Sequence, residues 1–205
     1  MNMMIRQRPT ETPAHSDQAP QFVHLRVHSA YSLLEGALPV ARLAKLAVAD
    51  QAPALALTDR NNLFGALEFS NKLSDAGVQP ITGLTLSVDF SDAVADSKYA
   101  PASVTARSYS SIALLAMSEV GYANLMKLSS QAFFNPSDAE DAHVRIECLR
   151  AHHEDLIVLS GGPEGPVDQM LVDGDRAKAE QRLTALKDVF GQLMNAARAA
   201  RITED

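Results

Sequence analysis

Cysteine is almost missing: Cys148 is the single one in 205 residues, so the chain can form no internal disulfide. That scarcity suits a reducing compartment, and the cytoplasm is the expected location. Long apolar runs are missing as well. None approaches the roughly 18 residues that a membrane helix needs, so no membrane partner is expected. Residues 1–20 have no apolar centre of the kind a secretory signal carries and read as a polar lead-in. Basic charge is scarce: 18 Lys and Arg against 25 Asp and Glu give a formal net charge of −7. A protein that grips DNA alone usually has a basic face, because neutralising phosphates supplies much of the affinity. The charge balance argues against an autonomous nucleic-acid binder, but not against one part of a larger replication enzyme. There is no internal repeat and no low-complexity tract.

What is present can bury a core, with 46% hydrophobic and 21% charged residues. Short apolar runs alternate with stretches of helical period. Residues 22–27 read as a first strand, and Pro39 opens a helix with Val40, Leu43, Ala44, Ala47 and Val48 at helical spacing. Residues 54–57 form a buried-strand candidate closed by Thr58-Asp59-Arg60-Asn61-Asn62. A helix is expected over 63–76 with its stop at Gly77, then a strand over 81–90. Residues 91–110 read as an excursion, 112–116 as a strand, 119–134 as a helix and 135–142 as a loop. A strand over 156–159 enters Ser160-Gly161-Gly162-Pro163, and 176–190 is helical. Strand, turn and helix in alternation imply an α/β fold of parallel strands with crossover helices. Sites in such folds gather at the carboxyl ends of strands, here at His28, Asp59-Arg60, Thr85 and Gly161-Gly162.

Five blocks carry a resemblance. The segment 22–36 reads Phe-Val-His-Leu-Arg-Val-His-Ser-Ala-Tyr-Ser-Leu-Leu-Glu-Gly, and the others lie at 54–69, 76–83, 114–130 and 156–161. In that order they resemble the opening of bacterial DNA polymerase III alpha subunits, whose first domain is of the PHP (polymerase and histidinol phosphatase) type. The resemblance covers about 22–190 and implies a distorted PHP-type barrel of parallel strands and helices, holding up to three metal ions. Active members hydrolyse phosphoesters, and some polymerase-linked ones act as metal-dependent 3′–5′ exonucleases. Such chemistry needs histidines and carboxylates that hold ions to polarise phosphate and activate water.

Residue by residue, the chain departs from that pattern. The family's His-x-His pair falls on Arg26 and His28, the carboxylate of Ser-x-x-Asp-Gly on Glu35, and Thr-Asp-His on Thr58-Asp59-Arg60. The later ligand positions hold Thr85, Ser111 and Gly162. Arginine keeps its proton in proteins, so it cannot ligate and repels a divalent ion. His28, Glu35 and Asp59 are the residual metal positions of a site that reads as dismantled. No cofactor and no catalytic residue is expected; zinc, manganese or magnesium is the alternative. An ion pair of Arg26 or Arg60 with Asp59 or Glu35 is the competing structural role. His24 is expected to make structural hydrogen bonds, and Asn61-Asn62 to cap the next helix. His143, His152 and His153 are expected to be solvated, and Gly161-Gly162-Pro163 to be a turn with no phosphate cradle.

The domain reading is a lead-in at 1–20, a PHP domain at 21–190 and a divergent helical tail at 191–205. The resemblance implies a barrel left incomplete, in a chain that stops before any polymerising part. The implied partners are the remainder of the polymerase, a proofreading exonuclease subunit, and DNA through the full-length enzyme. The leading expectation is a structural and docking module of a replicative polymerase. The alternative is an active metal-dependent phosphoesterase or 3′–5′ exonuclease. An unrelated α/β hydrolase ranks last, because no Gly-x-Ser-x-Gly nucleophile motif is present.

Overall fold

The structure is a computed structural model that describes residues 22–90, 109–134 and 141–191. The expected lead-in, most of the excursion at 91–110 and of the loop at 135–142, and the tail beyond Gly191 lie outside the described residues. The elements run α1 (Val40–Ala49), β1 (Ala54–Leu57), α2 (Ala66–Asp75), β2 (Gln79–Asp89) and β3 (Ser110–Ala116). They continue with α3 (Glu119–Phe134), β4 (Val144–Arg145), α4 (Ile146–Ala151), β5 (Leu156–Leu159), α5 (Pro166–Val172) and α6 (Arg176–Phe190).

Among the described residues the sheet is open, in the order β1-β2-β3-β5, with the short β4 beside the end of β2. β1 and β4 run parallel to β2, while β3 is antiparallel to both β2 and β5. Four strands therefore point one way and β3 the other, so the fold is α/β with a mostly parallel sheet. The expected α/β fold of parallel strands and helices is thus present, with β3 as the one strand among the described residues that runs against the others. Its ladder with β2 runs from Gly83 opposite Leu115 to Val88 opposite Ser110.

Period-two alternation decides what each face of β2 and β3 does. Leu84, Leu86 and Val88, with Ile112 and Leu114 across the ladder, bury against Leu125, Leu128, Leu149, Leu156 and Leu186. Each such side chain is worth roughly 1.5–3 kcal/mol when fully buried. The alternate positions, Thr85, Ser87, Ser111 and Ala113, form a face of small and polar groups. A second apolar cluster joins Val40, Leu43, Ala44 and Ala47 of α1 to Leu55 and Leu57 of β1 and to Phe69 and Leu73 of α2. The helical spacing of α1 is what brings its four residues to one side. Gly77, at φ 75, ends α2 in the left-handed conformation, where expected.

Residues 22–27 do not form the expected strand. Their alternation fits a strand, yet the only bridge is His24 with Leu55. The segment lies along β1 through Ala56 N–H to the His24 carbonyl at 2.9 Å and Thr58 N–H to the Val27 carbonyl at 2.8 Å. α2 starts at Ala66, three residues later than expected, with Gly65 at its N-cap. Neither Asn61 nor Asn62 caps it. Asn61 instead spans Ser87 and the Ala142 carbonyl, and Asn62 holds the Tyr31 and Arg60 carbonyls.

Candidate functional site

The expected site residues meet at the carboxyl ends of β1, β2 and β5, on the polar face of β2 and β3. Because β3 is reversed, it brings its first residues there, so that Ser111 sits opposite Ser87. Asp59 leaves β1 buried, and its carboxylate accepts from Ser29 N–H at 2.6 Å, Ser29 Oγ at 2.7 Å and Ser32 Oγ at 2.7 Å. Three donors satisfy a buried anion that would otherwise be costly. They also fix the turn from Ser29 to Gly36, where a Cβ on Gly36 would lie 1.8 Å from the Ser29 carbonyl oxygen.

That turn presents Glu35. One oxygen of Glu35 pairs with Arg60 Nε, and the other lies 3.1 Å from His28 Nδ1. The expected Arg60–Glu35 pair is present, with both side chains about one-third exposed. Arg60 also donates to Ser111 Oγ at 2.9 Å and to Glu164 Oε2 at 3.0 Å. Arg26 donates to the Gly161 carbonyl and places its Nη2 3.6 Å from the same Glu164 oxygen.

Burial first of all lowers the pKa of His28, and Arg26 and Arg60 add to the effect; Glu35 and Asp59 oppose it. Its ring is therefore neutral at pH 7. A carboxylate can only accept, so Nδ1 carries the proton toward Glu35. Nε2 then accepts from the Thr85 hydroxyl at 3.1 Å. Both ring nitrogens are engaged. Metal-binding groups must offer free lone pairs, and among the described residues no three His, Cys, Asp or Glu side chains converge as a ligand set. The donors present thus do not fit the metal cluster the family resemblance implies: His28, Glu35 and Asp59 are adjacent but turned to protein partners.

Glu164 is the site residue that the sequence reading missed. It lies on a one-turn 3₁₀ helix, Gly162–Glu164, just past β5, and the signal was an acidic residue in the turn at a strand's carboxyl end. The turn itself is as expected, with Gly161 at φ 83 and Gly162 at φ 66. Other expectations need correction. His24 is exposed and acts through its backbone carbonyl, its ring meeting Phe22 edge-on at 4.7 Å. His143 is buried, with its ring stacked on Tyr109 at 3.9 Å. His152 is half-buried against Gln131, whereas His153 is exposed as expected and meets Phe190 edge-on.

Comparison with known proteins places this geometry. The family model described as PHP domain matches residues 24–194. A protein named DNA polymerase III subunit alpha from Caulobacter vibrioides is 44% identical over 170 residues, covering 83% of this chain and 14% of that protein. One of the same name from Treponema pallidum is 39% identical over 171 residues, again 83% of this chain and 14% of that protein. The chain thus spans about one-seventh of the length of these relatives. Among solved structures, an amidohydrolase from Chromobacterium violaceum aligns over 52% of this chain and 32% of its own. Its identity is 24% and its TM-score 0.37, too partial a likeness to add to the topology. With the matched region spanning both apolar clusters and the site between them, the chain belongs to the PHP domain family.

Proposed function

We propose that this chain serves as the PHP domain of a replicative DNA polymerase alpha subunit and works there without bound metal, as a structural and docking module. The observation that carries the metal-free reading is the lattice in which Arg60 joins Glu35, Ser111 and Glu164. A fixed guanidinium there supplies the positive charge that ions supply in an active member, and it leaves nothing able to activate water. A docking role is supported by exposed apolar side chains beside the site: Tyr31, Leu33, Leu34, Phe64 and Leu67, with the Tyr31 and Phe64 rings 6.4 Å apart. Clustered exposed apolar groups mark interaction surfaces. The rest of the polymerase and a proofreading exonuclease subunit are the partners proposed for them.

The test is elemental analysis of the gently purified protein, followed by incubation with labelled single-stranded DNA and manganese. Neither stoichiometric metal nor shortening of the DNA is expected. Two equivalents of zinc or manganese, or shortening that disappears in Glu35→Ala, would overturn the proposal.

A further inference from the structure

The two arginines converge on one point. Arg26 Nη2 and Arg60 Nη2 both face Glu164 Oε2, at 3.6 and 3.0 Å. Each guanidinium is held from behind by another partner: Arg26 by the Gly161 carbonyl, Arg60 by Glu35 and the Ser111 hydroxyl. They are therefore fixed in place whether or not Glu164 is between them. Glu164 itself is the loosest member, with a side chain 60% exposed and no other hydrogen-bond or ion-pair partner among the described residues. Its backbone cannot follow the side chain outward. A Cβ on Gly161 would lie 1.9 Å from the Ser111 carbonyl oxygen and one on Gly165 1.8 Å from the Ser160 carbonyl oxygen, so the turn is wedged in position. Gly162 leaves space next to the arginines: a Cβ there would meet only Arg26 Nη1, at 4.0 Å.

We infer that Arg26 and Arg60 form an oxyanion site whose resident occupant is the Glu164 carboxylate, displaceable by a phosphate group through side-chain rotation alone. Once Glu164 turns out, an Arg60 N–H donor and the Arg26 guanidinium charge both lie beside the vacated point, and binding costs little ordering of the protein. Guanidinium groups suit phosphate oxygens in geometry and charge. Glu35 stays paired with Arg60, so Arg26 carries the uncompensated charge and contributes most to capture. The inference goes beyond the structural role proposed above, and rests on it only in taking the site as metal-free.

The experiment titrates inorganic phosphate into the full chain in the presence of a chelator, following heat or thermal shift. The wild type is compared with Glu164→Ala, Arg26→Ala and the double variant, each checked for a cooperative melt. Glu164→Ala is expected to bind phosphate about tenfold more tightly, the scale of one charge-assisted hydrogen bond no longer competed for. The double variant should lose that gain. If Glu164→Ala binds no more tightly than wild type, or the double variant binds as well as Glu164→Ala, the site does not exist. Phosphate binding seen only when the chelator is left out, in a protein found to hold metal, would sink the metal-free reading instead. A 5′-phosphorylated single-stranded oligonucleotide forms a second arm. Its binding more tightly than inorganic phosphate assigns the site to nucleic acid, and the reverse order to free phosphate.

Discussion

Arg60 touches more of the site than any other side chain described, with contacts to Glu35, Ser111 and Glu164 and a backbone bond to Ser32 Oγ at 3.0 Å. Its side chain is 28% exposed, so its pairs fall between the exposed limit of about 0–1 kcal/mol and the buried limit of about 3–5 kcal/mol. Arg60→Ala is expected to cost about 2 kcal/mol, lowering Tm by roughly 4–8 °C. Arg176→Ala is the comparison: that side chain is 86% exposed and, among the described residues, pairs along its own helix with Glu180. If the two variants melt together, the lattice contributes nothing to stability. His28 gives a second expectation. The folded chain holds the ring neutral, with a pKa below the ordinary 6.5, mainly through burial and despite facing Glu35 and Asp59. The unfolded chain therefore takes up more protons as pH falls, and stability rises with pH in this range. The contribution is complete above 6.5 and is lost as pH drops below that value through the folded pKa. Melting curves between about pH 5 and 8 should show a shallower slope for His28→Asn than for wild type. Equal slopes would exclude His28 as the titrating group.

The elements show which features of the fold were legible in the sequence. α3 and α6 have the bounds their helical periodicity indicates, and Gly77 ends α2 as its type suggests. Residues 22–27 have strand alternation but find only part of a ladder, because whether a segment pairs depends on its neighbour as well as on its own pattern. α4, of six residues, and the two-residue β4 are too short for periodicity to register. α5 did leave a signal, Pro166 at its first position after Gly165, which lies beyond the 161–163 turn where the sequence reading stopped. The site divides in the same way. Arg26, His28, Glu35, Asp59 and Arg60 were visible because they fall in blocks with a family pattern. Glu164 lies 104 residues from Arg60 in the chain, and only the reversal of β3 and the closing of the β5 turn bring the two together. Contacts of that separation carry no local periodicity.

At the scale of the whole molecule, the charge balance opposes binding to DNA by this chain alone. A formal net charge of −7 repels a polyanion at long range, and the two arginines facing Glu164 are neutralised by carboxylates within the site. This chain alone is expected to bind duplex DNA no better than about 10⁻⁴ M at roughly 0.15 M salt, measured by fluorescence anisotropy. Submicromolar binding under those conditions would mean that the arginines act on an extended phosphate backbone rather than on one group. The β2–β3 ladder has a different consequence. Its outermost pair, Val88 with Ser110, is buried, and Val88 is also paired with Val144 on its other side. The two strands are thus held together at the end where the chain leaves β2 and enters β3. Doubling the length of a connection closed this way costs only about 0.6 kcal/mol. A fluorescent reporter spliced in between Asp89 and Ser110 is therefore expected to leave the ladder intact, with Ser111, the hydroxyl partner of Arg60, just inside it.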